Sequence, residues 1–215
     1  MRKPSISYAT LAAAAVRAPV ALMLGGAVVG MSSVVSHAAA GASESSSART
    51  VSGARIPSLR GSLKPGTTVS ARRLGNRVFA DAQHGFALAS TQQAQYPATT
   101  SDGGRVWRID GPPLHVNAAQ APLVVLQVGI ASRRTFFAFG GPGGGQVVDV
   151  TSDGGRHWWR AVLGEVVLAV VASGGGRLTA VAQSATTSGA SATTSVYVSS
   201  DGGREWRPDD RLGAS

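Results

Sequence analysis

A carboxylate, an arginine and an indole recur together three times in this sequence. The heptad Ser-Asp-Gly-Gly-Arg-x-Trp begins at Ser101, Ser152 and Ser200. An Asp that opens a Gly-Gly turn can accept backbone N–H groups of that turn, and Gly permits the positive φ that such turns require. The carboxylates and rings could instead bind calcium or a glycan, but each copy has one carboxylate and calcium takes six or more oxygen ligands. The pattern therefore favours a structural turn, with the Trp packed across the hairpin and into the gap between repeats.

The predicted structural set has five positions in each repeat, and the Ser hydroxyl is expected to add a second local hydrogen bond. The set consists of Ser101, Asp102, Gly103, Gly104, Trp107, Ser152, Asp153, Gly154, Gly155, Trp158, Ser200, Asp201, Gly202, Gly203 and Trp206.

The remaining titratable residues do not form a recognisable catalytic set. Neither a G-x-S-x-G elbow nor an H-E-x-x-H pair occurs in the sequence, and His84 before Gly85 is typical of a turn. Paired-carboxylate hydrolysis needs two acids across a cleft, which the sequence cannot place. The absence of Cys excludes disulfides and thiol chemistry. We therefore predict no catalytic residue, no metal ion and no cofactor.

Positive charge is concentrated ahead of the first repeat. The chain has 20 Lys and Arg against 11 Asp and Glu, a net charge of +9. Seven of the cations and no acid lie between Arg49 and Arg77. Such a surplus favours anionic partners, and the alternative is a solvated, poorly ordered segment. The candidate contacts to a protein or an anionic cell-envelope polymer are Arg55, Arg60, Lys64, Arg72 and Arg73; no nucleic acid is expected.

The N-terminus has the features of a secretory signal peptide. Basic residues precede an apolar run from Ala18 to Val35, and Ala38-Ala39-Ala40 provides a small-residue cleavage site. The alternative is an uncleaved membrane anchor, because the run is about long enough to span a bilayer. Residues 1–40 are thus a signal peptide or anchor, residues 41–50 a Ser-rich flexible linker, and the protein is expected to be secreted or associated with the cell envelope.

From Val78 onward, short β-prone runs alternate with Gly-, Ser- and Pro-rich stretches. Four such runs fall in each repeat, and the heptads start at residues 101, 152 and 200. This content predicts an all-β, β-propeller-like domain over 78–210, with about three four-stranded blades at 78–110, 123–161 and 165–208. Residues 51–77 are expected to be partly ordered: the Val69 to Val78 end would add to an open sheet edge, and the earlier part would stay mobile.

The heptad resembles the Asp-box, or BNR, repeat of bacterial sialidases, sortilin-type receptors and related propellers. The stretch "VFADAQHGFALA…TTSDGGRVW" is most similar to the repeat of the photosystem II assembly factor family. The similarity covers residues 78–107 well and extends to residue 208 more loosely, because the second and third repeats lack the D-x-x-H-G part. It implies a propeller fold, yet closed propellers have four to eight blades. Three repeats imply an open fan, or a second copy that completes the ring.

The resemblance to sialidases implies an arginine triad, a tyrosine nucleophile with a glutamate partner, and an aspartic acid. Beyond the signal segment the chain offers Tyr96 and Tyr197, and its glutamates are Glu44, Glu165 and Glu205. No arginine triad is recognisable. The sequence therefore favours an exported, non-catalytic Asp-box module that binds a protein or an envelope polymer as a scaffold. The alternative is a small or degenerate sialidase-like glycoside hydrolase.

Overall fold

Short antiparallel β-strands carry the regular structure of this chain. The computed structural model describes residues 49–116, 127–140, 145–184 and 191–209. The expected signal segment and the linker up to residue 48 lie outside the described residues. In the part that is described, no helix is long and apolar enough to cross a membrane.

Sixteen strands and two single-turn 3₁₀ helices, Ala71–Arg73 and Gly174–Gly176, occur in the described residues. The strands are β1 (Val51–Ser52), β2 (Ala54–Arg55), β3 (Thr68–Val69), β4 (Leu74–Phe79), β5 (Gly85–Ser90), β6 (Ala94–Thr100), β7 (Trp107–Ile109), β8 (His115–Val116), β9 (Gln127–Ile130), β10 (Phe136–Phe139), β11 (Val147–Thr151), β12 (Trp159–Val162), β13 (Val166–Ser173), β14 (Arg177–Gln183), β15 (Thr194–Ser199) and β16 (Glu205–Pro208).

The strands form three antiparallel sheets, which confirms the all-β class. Each sheet is a meander of four consecutive strands: β4 to β7 in the first, β9 to β12 in the second and β13 to β16 in the third. The first sheet begins at Leu74 rather than at the expected Val78, and β8 extends it against β6. None of the three sheets closes on itself.

The basic segment supplies a fifth strand to each sheet. β1 pairs with β16, β2 with β12 and β3 with β7, so residues 51–69 run along the outer edges of the third, second and first sheets in turn. An added strand at an open edge was expected from the Val69 to Val78 end; the strand that adds there is Thr68–Val69, and Leu74–Phe79 is β4. Pairing of Val51–Arg55 was not expected, because that part was predicted to stay mobile. The outer strands present backbone N–H and C=O groups that the segment pairs, and this explains the difference.

Successive sheets pack through apolar faces. Phe86 of the first sheet stacks on Phe136 of the second, with ring centroids 5.1 Å apart. Phe137 and Val150 of the second sheet share a buried cluster with Leu178 of the third. On the other face of the first sheet, Val69 of β3 and Leu74 of β4 extend the buried cluster, and Leu63 of the basic segment packs against it. The three sheets therefore form one continuous packed unit.

Candidate anion-binding site

The aspartates of the three heptads hold their own turns. Asp102 Oδ1 accepts the N–H of Val106 at 3.0 Å, and Asp153 Oδ1 accepts the N–H of His157 at 3.0 Å. Asp201 Oδ1 accepts two backbone N–H groups, from Arg204 and Glu205, each at 3.0 Å. The carboxylates are therefore used inside the protein as turn acceptors.

The hydroxyl of each turn comes from the residue before the predicted Ser. Thr100, Thr151 and Ser199 donate to the heptad carboxylate at 2.8, 2.9 and 2.8 Å. The same oxygens accept the N–H of the second Gly of the heptad. The expectation that Ser101, Ser152 and Ser200 would supply this bond is thus wrong. Side chains alternate along a strand, so the last inward-facing residue of β6, β11 or β15 reaches the turn and the next residue points away.

The three heptad indoles are buried. Trp107 and Trp206 donate from Nε1 to the carbonyl of their own second glycine, Gly104 and Gly203, both at 3.1 Å. Trp158 differs, because its Nε1 donates to the carbonyl of Asp110 at 3.2 Å, across the gap to the first sheet. The second heptad therefore ties two sheets together directly.

The glycines of the heptads allow a close approach between turn and neighbouring sheet. Gly155 has φ of +91°, and a Cβ there would lie 2.5 Å from the side chain of Asp110. Gly203 has φ of +87°, and a Cβ would lie 2.5 Å from Val150. Each of these two turns can thus pack on the preceding sheet only because the second glycine of the heptad lacks a side chain.

The arginine of each heptad is exposed, in contrast to the buried indole beside it. Arg105, Arg156 and Arg204 occupy the same position of three equivalent turns. The Arg204 guanidinium lies over the ring of Trp159, 5.3 Å from the ring centroid. A side chain that the turn does not need, repeated three times on the surface, is available to a ligand.

Most acidic side chains of the described residues form hydrogen bonds or ion pairs within the fold. The heptad carboxylates bind turns, and Asp149 is fully buried against Arg160, with Nε–Oδ1 and Nη2–Oδ2 distances of 2.7 Å. Glu165 accepts the hydroxyl of Ser195 at 3.0 Å. Most arginines, in contrast, are exposed. Arg133, Arg160 and Arg207 are paired with acids, and most of the other described arginines lie on the surface without an ion pair.

A groove forms where the basic segment crosses the second heptad turn. One hollow of about 230 Å³ is lined by Arg55, Arg156 and His157, with Trp158 at its wall. A second hollow of about 520 Å³ shares Arg156 with the first and is lined by Lys64 on the segment side. We call these two hollows the basic groove.

Two further side chains set the charge of the basic groove. The His157 Nδ1 lies 2.6 Å from Asp153 Oδ2, which holds the imidazole in place. Asp110 also lines the larger hollow, and burial raises the pKa of its carboxyl, with the hydrogen bond from Thr99 opposing that shift. The groove therefore combines three cations on long side chains with one half-buried acid.

The structure brings together only some of the five cations predicted as anionic contacts. Arg55 and Lys64 line the basic groove beside Arg156, which the sequence analysis did not single out. Arg60 is exposed between them but does not line either hollow. Arg72 and Arg73 lie on the first 3₁₀ helix, where Arg73 borders a separate hollow next to Ser90 and Gln93. The recurrence of Arg in every heptad was the signal that could have identified Arg156.

A further polar hollow, of about 260 Å³, lies between the first and second sheets. His84 borders it, and its Nδ1 lies 2.9 Å from Asp81 Oδ1. Arg133 of the second sheet donates from Nε to Asp81 Oδ2 at 2.6 Å. Backbone N–H bonds from Gln83 and the contact with His84 hold the pKa of Asp81 far below its usual range. These groups link two turns across neighbouring sheets, as expected for a turn histidine.

The two tyrosines lie on different sheets. Tyr96 is buried in the first sheet, where its hydroxyl accepts the N–H of Leu63 at 3.5 Å. Tyr197 is buried in the third sheet, and burial together with the nearby Glu165 raises the pKa of its phenol. A raised phenol pKa disfavours the phenolate that a nucleophile requires.

No family model, curated protein or solved structure matches this chain.

Stability should fall in acid because of the heptad carboxylates. Hydrogen bonds, first from the Val106 N–H, lower the pKa of Asp102. Burial raises the pKa of Asp153 and Asp201, but hydrogen bonds from turn N–H groups outweigh it and the net direction is down. A carboxylate whose pKa is lower in the folded state stabilises the fold at pH values above the unfolded pKa of 3.8. That stabilisation is lost as pH falls through the folded pKa. The melting temperature should therefore drop below about pH 4.

The measurement is a series of thermal melts of the wild type and of Asp201→Asn. The variant should melt lower at neutral pH and lose less on acidification, because one titrating carboxylate is gone. A pH curve parallel to that of the wild type would contradict a stabilising role for this carboxylate.

Proposed function

We propose that this protein is an exported, non-catalytic Asp-box module that binds an anionic envelope polymer through the basic groove. One observation carries the proposal: the segment that bears the cations is paired along the outer edges of all three sheets. That pairing places Arg55 beside Arg156 in one hollow, and Lys64, in the connection between β2 and β3, lines the other hollow with Arg156. Cations on a fixed backbone lose less entropy on binding than cations on a flexible arm.

We also propose that the three sheets are propeller-like blades arranged as an open fan. Each sheet is a four-stranded meander with the heptad turn between its third and fourth strands, as in the Asp-box repeat that the sequence resembles. A second copy that completed a ring would need the free face of the first sheet, where Leu63 of the basic segment packs against the buried cluster. In the third sheet, Thr179 occupies the position of Phe86 and Phe137. The outer faces of the first and third sheets therefore favour an array of three sheets to which no further blade is added.

A sialidase-like hydrolase remains the alternative proposal. Its tyrosine nucleophile would have to be Tyr197 beside Glu165, since Tyr96 has no glutamate on its sheet. The raised pKa of Tyr197 works against that role. Of the two proposals, the binding module is the better supported.

Neutralising the basic groove should weaken polymer binding. The triple variant Arg55→Gln, Lys64→Gln, Arg156→Gln is compared with wild type, both starting at Gly41, in titrations with polygalacturonate and with inorganic polyphosphate. At about 0.05 M salt we expect a loss of about tenfold, because each exposed ion pair contributes up to about 1 kcal/mol. At about 0.5 M salt both proteins should bind weakly.

The control is a triple variant of equal charge change away from the groove, Arg72→Gln, Arg73→Gln, Arg177→Gln. It should bind nearly as well as wild type. Equal losses in the two triple variants would mean that the net charge, and not the groove, attracts the polymer. Truncation of the segment is not a suitable test, because it would remove the fifth strand of every sheet.

A further inference from the structure

Trp159 is the one tryptophan outside the heptad positions, and no turn requires it. The adjacent Trp158 occupies the core, while Trp159 is half-buried and belongs to none of the apolar clusters of the described residues. The indole N–H groups of Trp107, Trp158 and Trp206 all have carbonyl partners. That of Trp159 has none within the described part of the chain. Partly exposed tryptophans of this kind are enriched where proteins bind ligands.

Two arginines flank the Trp159 ring. Arg204 lies over the ring at 5.3 Å, and Arg55 is its cross-strand partner where β2 pairs with β12. Side chains directly opposite in an antiparallel pair lie on the same face of the sheet. A guanidinium stacked on an indole keeps its N–H donors in a fixed plane, from which they can bind an anion.

Arg55 also lines the basic groove. Arg55 is therefore common to both places, since it borders the smaller hollow and is the cross-strand neighbour of Trp159, over which Arg204 lies. An anion bound in the groove would be followed along the same surface by an aromatic ring and a further cation.

We propose that Trp159 is a ring-stacking subsite of the basic groove, and that the partner is an acidic polysaccharide. This inference depends on the proposed function and specifies the polymer class. An indole face packs against the apolar C–H face of a sugar ring, and arginines bind the carboxylates of a uronic acid bidentately. A polyanion without rings, such as polyphosphate, would use the cations alone.

A saccharide fits this surface better than a nucleic acid does. Proteins that track a single strand combine a basic groove with several aromatic side chains on which successive bases stack. Next to the groove, the described residues offer one half-exposed indole, that of Trp159. One ring between two arginines matches a polymer whose charged groups alternate with saturated rings.

The test compares Trp159→Leu with Trp159→Tyr, since Leu keeps an apolar side chain and Tyr keeps an aromatic face. Binding to polygalacturonate should fall about tenfold in the Leu variant and recover most of the loss in the Tyr variant. Binding to inorganic polyphosphate should be the same in wild type and both variants. Circular dichroism confirms that each variant is folded.

The outcomes separate this inference from the proposed function. If the wild type binds both polymers and the Leu variant binds both equally well, the subsite is absent while the groove stands. Parallel losses for both polymers would assign Trp159 a structural role and overturn the subsite. Tighter, Trp159-dependent binding of oligodeoxythymidylate would replace the polysaccharide by a nucleic acid. If the wild type binds no polyanion, the groove itself is wrong.

Discussion

Replacing Trp158 by Ala is expected to lower the free energy of unfolding by about 3–5 kcal/mol. The ring is fully buried between the first and second sheets, with its centroid 5.7 Å from that of Phe86. Its Nε1–H bond to Asp110 would also be lost, which leaves a carbonyl without this donor. The indole follows the turn of the second sheet and packs in the core that this sheet shares with the first. The cavity and the lost hydrogen bond therefore both weaken the contact between these two sheets.

Urea denaturation followed by far-UV circular dichroism measures this loss. The neighbouring Trp159→Ala is a matched control, because it deletes the same side chain one position along the strand. Its expected cost is about 1 kcal/mol, since that ring is partly in water and outside the apolar clusters. Equal costs at the two positions would contradict the assignment of Trp158 to the core and of Trp159 to the ligand surface.

The repeated heptad made the local structure predictable. A turn that recurs three times with the same Asp, two Gly and Trp needs only short-range interactions, so its carboxylate role can be derived from turn chemistry. Sequence reasoning chose the wrong hydroxyl because it used the Ser inside the heptad. The correct residues, Thr100, Thr151 and Ser199, also recur, and their shared hydroxyl was a usable signal.

The long-range pairings were much less predictable. Strands β1 and β2 are two residues each, which is too short for any alternating pattern to appear. They form because β16 and β12 leave backbone groups unpaired far along the chain. The basic groove depends on this pairing. Two of its three cations could be named from the sequence, but their position beside Arg156 could not. Likewise, nothing local distinguishes Asp149 from a surface acid.

The buried ion pair between Arg160 and Asp149 is expected to make the second large contribution to the free energy of unfolding. Replacing Arg160 by Met is expected to cost about 3–5 kcal/mol at neutral pH, because it leaves the Asp149 carboxylate buried without a counter-ion. Arg160 also donates from Nη2 to the carbonyl of Leu114, which lies in the connection between β7 and β8 of the first sheet. Loss of this side chain therefore affects the second sheet and its contact with the first.

The exposed pair between Arg207 and Glu205 is the control for charge removal. Its Nε–Oε1 distance is 3.1 Å, and the Arg207 side chain is largely in water while that of Glu205 is partly exposed. The variant Arg207→Met should change the free energy of unfolding by less than about 1 kcal/mol. A similar cost for Arg160→Met would mean that the buried pair is not a significant source of stability.

The pH dependence of the Arg160→Met variant distinguishes a stranded charge from a simple packing defect. Burial raises the pKa of Asp149, and in the wild type the bonds from Arg160 oppose that shift. Without Arg160 the folded pKa lies above the unfolded one, so stability is present at low pH and is lost as pH rises through the folded value. The deficit relative to wild type should therefore grow as pH rises above the unfolded value of 3.8, and the double variant Asp149→Leu, Arg160→Met should remove that growth. A deficit that is constant with pH would show that lost packing around Arg160, and not the unpaired carboxylate, causes the destabilisation.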